Sequence, residues 1–177
     1  MDLKALRLQK SAANLQRRWR ESYLAGLRPE LADYLVEFPF VTAPETDALA
    51  ARFGVADTGE APNGLGYSEV YWPADALRLV AALPTSESPA WLMPGGYSAP
   101  AGYEHCAAFE VPFVWAQRHV DALWAEHHGW GRPAFNLVSQ DGSVGVLIEE
   151  WGAFPEDNSP SDVVYGVRRW PVHKHAS

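Results

Sequence analysis

The chain has 177 residues, 47 % hydrophobic and 20 % charged, which fits one globular domain with a core large enough to stand without disulfide or metal staples. Its single cysteine, Cys106, excludes an intramolecular disulfide framework. The net charge of −8 is unevenly spread: residues 1–28 carry seven cations against two acids (+5), and residues 29–177 carry seven against twenty (−13). The expected organisation is therefore a basic N-terminal helical arm, 1–28, on a single acidic domain, 29–177. Such a body repels phosphate backbones, so direct nucleic-acid binding is not expected, whereas a basic partner would be attracted. No apolar run approaches the roughly 20 residues of a membrane span. The N-terminus lacks the apolar stretch and small-residue cleavage site of a signal peptide, which makes a cytoplasmic location the expectation.

Residues 3–26 predict a long helix, free of Pro and Gly until Gly26, with Leu3, Leu6, Ala13, Trp19 and Tyr23 roughly along one side. Pro29 suits the first turn of a second helix, about 30–38, with Leu31, Tyr34, Leu35 and Phe38 on one face. Thr42 and Glu45 form a capping box before a third helix, about 43–53, with Leu49 and Phe53 facing the core. Residues 54–66 have loop composition, Tyr67 to Trp72 a short strand, and Pro73 opens a helix over about 74–83. The Pro-, Gly- and Ser-rich segment 84–103 reads as one long loop. A strand is expected over 105–111, then a helix from Pro112 to about His128 with Val120, Leu123, Trp124 and His127 on one side. The clearest motif follows: apolar runs 134–139 and 144–151 flank Asp141 and Gly142, a hairpin signal because Gly accepts positive φ without steric cost. A last strand is expected over 163–170. With helices early and strands late, the class is α+β, N-terminal helices packed on a mainly antiparallel C-terminal sheet.

Familiar catalytic motifs are absent. Glu104, His105 and Cys106 supply metal-ligand types, but neighbours on a strand point to opposite faces. His119 and His127 stand eight apart on the expected helix, too far for one ion, so neither a metal nor a cofactor is expected. Cys106 is flanked by Ala107, Ala108 and Phe109 and reads as a small buried hydrophobe; its reading as a nucleophile lacks a cation to lower its pKa, other than His105. The serines at Ser68 and Ser98 sit in near-misses of a nucleophile elbow, each lacking the final glycine. Glu149 and Glu150 fall on opposite faces of a strand and cannot act together on one substrate. A small hydrolase built around residues 84–106, with His119 contributing, remains the enzyme alternative; an adaptor assembling through the first helix is another.

More suggestive are two stretches that interleave acids with aromatics. Glu149, Glu150, Trp151, Phe154, Glu156, Asp157 and Asp162 occupy a strand end and the loop after it. Glu69, Tyr71 and Trp72 form a second set beside Tyr67. Aromatics anchor protein interfaces and carboxylates steer basic partners, so both stretches are candidate partner-binding surfaces. The alternative is that Trp151 and Phe154 are core and the acids an ordinary solvated rim.

On the stretch from Glu149 to Asp162 and the −13 body, the chain resembles the immunity proteins of bacterial toxin–immunity pairs, including those of type VI secretion. The likeness is one of composition across most of the chain, and it transfers no individual residue role. It implies a protein that binds a cognate toxin acting in the cytoplasm, one with a basic active-site cleft that an acidic loop fills. The basic first helix departs from that pattern.

Overall fold

The protein is described here from a computed structural model covering residues 3–38, 40–41, 45, 48, 66–70, 72–94, 108–124, 134–151 and 164–170. The elements are α1 (Leu3–Gly26), α2 (Pro29–Val36), β1 (Phe40–Val41), β2 (Gly66–Val70), α3 (Pro73–Ala81), β3 (Pro89–Met93), β4 (Ala108–Pro112), α4 (Phe113–Arg118), α5 (Val120–Leu123), β5 (Phe135–Ser139), β6 (Gly145–Trp151) and β7 (Val164–Trp170). The fold is α+β. Among the described residues, seven strands join one antiparallel sheet in the order β1-β4-β3-β5-β6-β7-β2.

Alternation along the strands gives the sheet two faces. One face carries Ala90, Leu92, Phe109, Val111, Phe135, Leu137, Val146, Ile148, Tyr165 and Val167 against the helices, which contribute Leu35, Ala76, Val80, Phe113, Ala116, Leu123 and Trp124. Trp124 is fully buried and meets the Tyr165 ring edge-on at 5.1 Å. The opposite face carries Met93, Ala108, Val138 and Leu147, all fully buried as well. Strand β5 is accordingly buried at every residue, polar Asn136 and Ser139 included.

The helix layer is tied together where helices end. The last carbonyls of a helix have no partner within it and need an external donor. Arg20 of α1 donates from Nη2 to the Phe38 carbonyl at 3.2 Å, just past the end of α2. Tyr23 donates its hydroxyl to the Leu123 carbonyl of α5 at 2.8 Å, and its ring stacks on Trp19 at 5.2 Å. Gln117 of α4 donates to the Leu83 and Val80 carbonyls at the end of α3, at 2.8 and 3.2 Å. Burial holds the Tyr23 phenol far above its ordinary pKa, so it stays a neutral donor. The C-terminal half of α1 thus belongs to the core, with Trp19, Tyr23 and Leu24, and Leu27 just past its end, packed on it, whereas Leu3 stands 71 % exposed.

Several sequence expectations need correction. Segment 84–103 is not one loop: β3 lies inside it and occupies an interior position between β4 and β5. Pro89 is tolerated because it is the strand's first residue, and Ala90 to Met93 form an apolar run buried on both faces. The single helix expected from Pro112 is two short ones, broken at His119, which sits at φ −106°, ψ 11°. The strand expected at Tyr67 to Trp72 is β2, Gly66–Val70, which closes one edge of the sheet while β1 closes the other. Of the third helix expected at 43–53, Glu45 and Ala48 are helical, while Leu49, Phe53 and the remaining positions lie outside the described residues, as do His127 and the 54–65 segment.

The hairpin forms as expected. Gly142 takes φ 73° and donates its N–H to the Ser139 carbonyl at 2.9 Å. The Asp141 carboxylate accepts from the Ser143 N–H at 2.9 Å and its hydroxyl at 2.8 Å. Hydrogen bonding from Ser139 first, and then from Ser143, holds the Asp141 carboxyl below the ordinary carboxylate range.

Two predictions follow from these contacts. Tyr23→Phe leaves the Leu123 carbonyl without its donor and should cost about 1–2 kcal/mol in denaturant unfolding, whereas Leu3→Glu should be neutral. A carboxyl whose native pKa is depressed stabilises above its unfolded value and loses that contribution as pH falls through the native one. The destabilisation caused by Asp141→Ala should therefore be greatest near neutral pH and shrink as the pH drops below the unperturbed 3.8, measured as Tm against pH.

Candidate functional site

The two acidic–aromatic stretches lie far apart in sequence and meet in the sheet. Strand β7 runs between them, with β6 on one side and edge strand β2 on the other. Gly166 of β7 stands opposite Glu149 of β6 and, on its other flank, opposite Glu69 of β2. Positions directly opposite share a face, so 69, 166 and 149 form one row on the face turned away from the helices. A glycine occupies the middle of that row. One row along, Arg168 stands opposite Leu147 and Tyr67.

Arg168 is the buried charge of this face, with 9 % of its side chain accessible, and its Nη2 lies 3.2 Å from Oε2 of Glu149, itself 28 % accessible. The pair is diagonal across β6 and β7, within reach of long side chains. A guanidinium this buried needs its anion, so Glu149 serves the fold as well as the surface. Trp91 Nε1, Asn136 Nδ2 and Arg168 Nε on this face are buried donors without a partner among the described residues, a polarity suited to ordered water.

The remaining candidates divide. Glu150 stands opposite Tyr165 and therefore occupies a helix-side position, as the strand alternation required; Trp151, opposite Val164, closes the end of β6. Trp72 is 65 % exposed, immediately before α3, where Pro73 sets the first turn. Tyr71, Phe154, Glu156, Asp157 and Asp162 lie outside the described residues. So do Glu104, His105 and Cys106 of the enzyme reading. His119 sits at the α4–α5 break with its ring 5.2 Å from that of Trp115. Among the described residues there is no group of three or more metal-binding side chains, and no helix is long and apolar enough to cross a membrane.

Chemically, the row suits recognition better than proton transfer. The backbones of Glu69 and Glu149 are two strand spacings apart, about 9.5 Å, and one of the two carboxylates already has a guanidinium on it. Sequence reasoning missed Arg168 as a site residue. Its signal was available: Arg168 and Arg169 stand together in an otherwise apolar strand, where a cation must find an anion.

The ion pair generates its own test. Glu149→Leu strands a buried guanidinium and should cost about 2–3 kcal/mol, less than for a fully buried pair because Glu149 is partly solvated. Adding Arg168→Met should recover most of that loss, a coupling that a double-mutant cycle by urea unfolding measures directly.

No curated protein and no solved structure matches the chain. A family described as YokC prophage protein matches residues 1–169, nearly the whole length, and the chain belongs to that family.

Proposed function

We propose that this protein is an immunity-type inhibitor: it binds a cognate, cytoplasm-acting bacterial toxin and occludes that toxin's basic active-site cleft. The observation that carries the reading is the pairing of β2 with β7, which sets Glu69 in one row with Glu149, while Trp72, two residues past the end of β2, is exposed. An exposed large aromatic close in sequence to acids has the composition of an interface anchor with a charged rim. The −13 of residues 29–177 supports it, because a field of that sign steers a basic partner and speeds encounter. Membership of a prophage family fits a gene carried with a toxin on one mobile element. The toxin's identity, and any link to type VI secretion, belong to the proposal.

An adaptor role through α1 is the second reading, favoured by the exposure of Leu3 and of most described side chains in the helix's first half. Removing residues 1–14 and measuring mass in solution tests it: an unchanged oligomeric state rejects assembly through this segment.

For the inhibitor, the test is titration against the basic toxin domain encoded beside the gene, together with protection of cells expressing that toxin. Wild type should protect, with an affinity that weakens as salt rises. Trp72→Ala should leave stability within about 0.5 kcal/mol and cost about 2 kcal/mol of binding, some thirtyfold. Absence of protection by the wild type rejects the reading; full binding by Trp72→Ala rejects this face.

A further inference from the structure

Two of the three exposed large hydrophobics among the described residues stand on the first two helices, Leu3 at 71 % and Val36 at 57 % accessibility. Each sits in a charged stripe, and the stripes have opposite sign. On α1, Leu3, Arg7 and Lys10 fall at i, i+4 and i+7, one face of the helix, and all three are exposed. On α2 and the residue that caps it, Glu30, Asp33 and Glu37 fall at i, i+3 and i+7 and are exposed, with Val36 one turn from Asp33. The other sides of these helices face the core: Trp19 and Tyr23 of α1 pack on it, and Leu31 and Leu35 of α2 are buried.

Neither stripe is neutralised within the chain. Among the described residues, Arg7, Lys10, Asp33 and Glu37 make no ion pair, and Glu30 has only Arg28, at 3.6 Å in a pair open to solvent on both sides. Like charges one turn apart on a helix repel, so each stripe is destabilised alone and relieved by the other.

The spacings match when the two helices run antiparallel. Lys10 lies about 10.5 Å along α1 from Leu3, and Glu30 about 9 Å along α2 from Val36. Setting Leu3 on Val36 therefore brings Arg7 to Asp33 and Lys10 to Glu30. One chain does not make this contact with itself. The end of its α2 is held at Arg20, whose Nη2 donates to the Phe38 carbonyl at 3.2 Å, and Leu3 stands seventeen residues back along α1, about 25 Å away.

We infer that the first turns of α1 dock on the acidic outer face of α2 in a second copy of this chain, a contact that a two-fold axis makes twice. The inference rests on the reading of α1 as an assembly segment, to which it gives a partner and a register, and it is independent of the toxin. Exposed ion pairs contribute little each and the patch is small, so a dimer dissociation constant on the order of 100 μM is expected.

Sedimentation equilibrium of the full chain, from about 10 μM to about 1 mM, tests it. Wild type should pass from monomer to dimer over that range. Arg7→Glu/Lys10→Glu and Glu30→Lys/Asp33→Lys should each weaken association at least about tenfold. An equimolar mixture of the two variants should restore it, because each offers the stripe that the other lacks; a folding defect in either could not give that result. A wild type that stays monomeric, reversals that leave association unchanged, or a mixture that stays monomeric would overturn the inference. So would a monomeric chain that Arg7 and Lys10 instead hold to vesicles of anionic phospholipid. If removing residues 1–14 dissociates the dimer but the mixture does not reassociate, this register fails and assembly through α1 stands.

Discussion

The constraint that the rest of the structure depends on is the two-sided burial of the central strands. In β5, Phe135 and Leu137 face the helices while Asn136 and Val138 face the other way, and none of the four has appreciable contact with solvent. A strand buried on both faces must have every backbone hydrogen bond met by neighbours, because water is not there to substitute. Strands β3 and β6 supply those bonds, and from this three-strand centre the sheet extends to β4 and β1 on one side and to β7 and β2 on the other. The Glu69–Gly166–Glu149 row runs inward from the β2 edge.

Three polar contacts hold the helix layer over that sheet. Arg20, Tyr23 and Gln117 each satisfy carbonyls at the end of a different helix. These bonds connect α1 to α2, α1 to α5 and α4 to α3, so the short helices α4 and α5, too brief to be stable alone, are held by tertiary contacts. The second half of α1 is structural, and most described side chains of its first half are exposed.

Local chemistry made some of this legible. Asp141 and Gly142 announce a turn whose geometry any flanking apolar runs would share, and Pro29 and Pro73 each open a helix for reasons contained within one residue. Strand β3 was hidden because Pro89 and the Pro–Gly–Gly that follows Met93 give its segment a loop composition, and only its buried interior position reveals the short run between them. The break at His119 had no Gly or Pro to mark it; the bend lets Phe113 and Ala116 on one side, and Leu123 and Trp124 on the other, all reach the core. For the site, the residue types were visible but their meeting was not. Pairing of β2 with β7 joins residues 95 to 103 positions apart. Long-range register depends on the whole packing and leaves no local signature.

That pairing is also the central claim, since the acidic row depends on it. Cross-strand NOEs between Ser68 and Val167, with slowed amide exchange along β2, measure it most directly. The account predicts both, in the antiparallel register that places Glu69 opposite Gly166. Freely exchanging β2 amides with no NOE to β7 would contradict it, separating the two acidic stretches and removing the composite face.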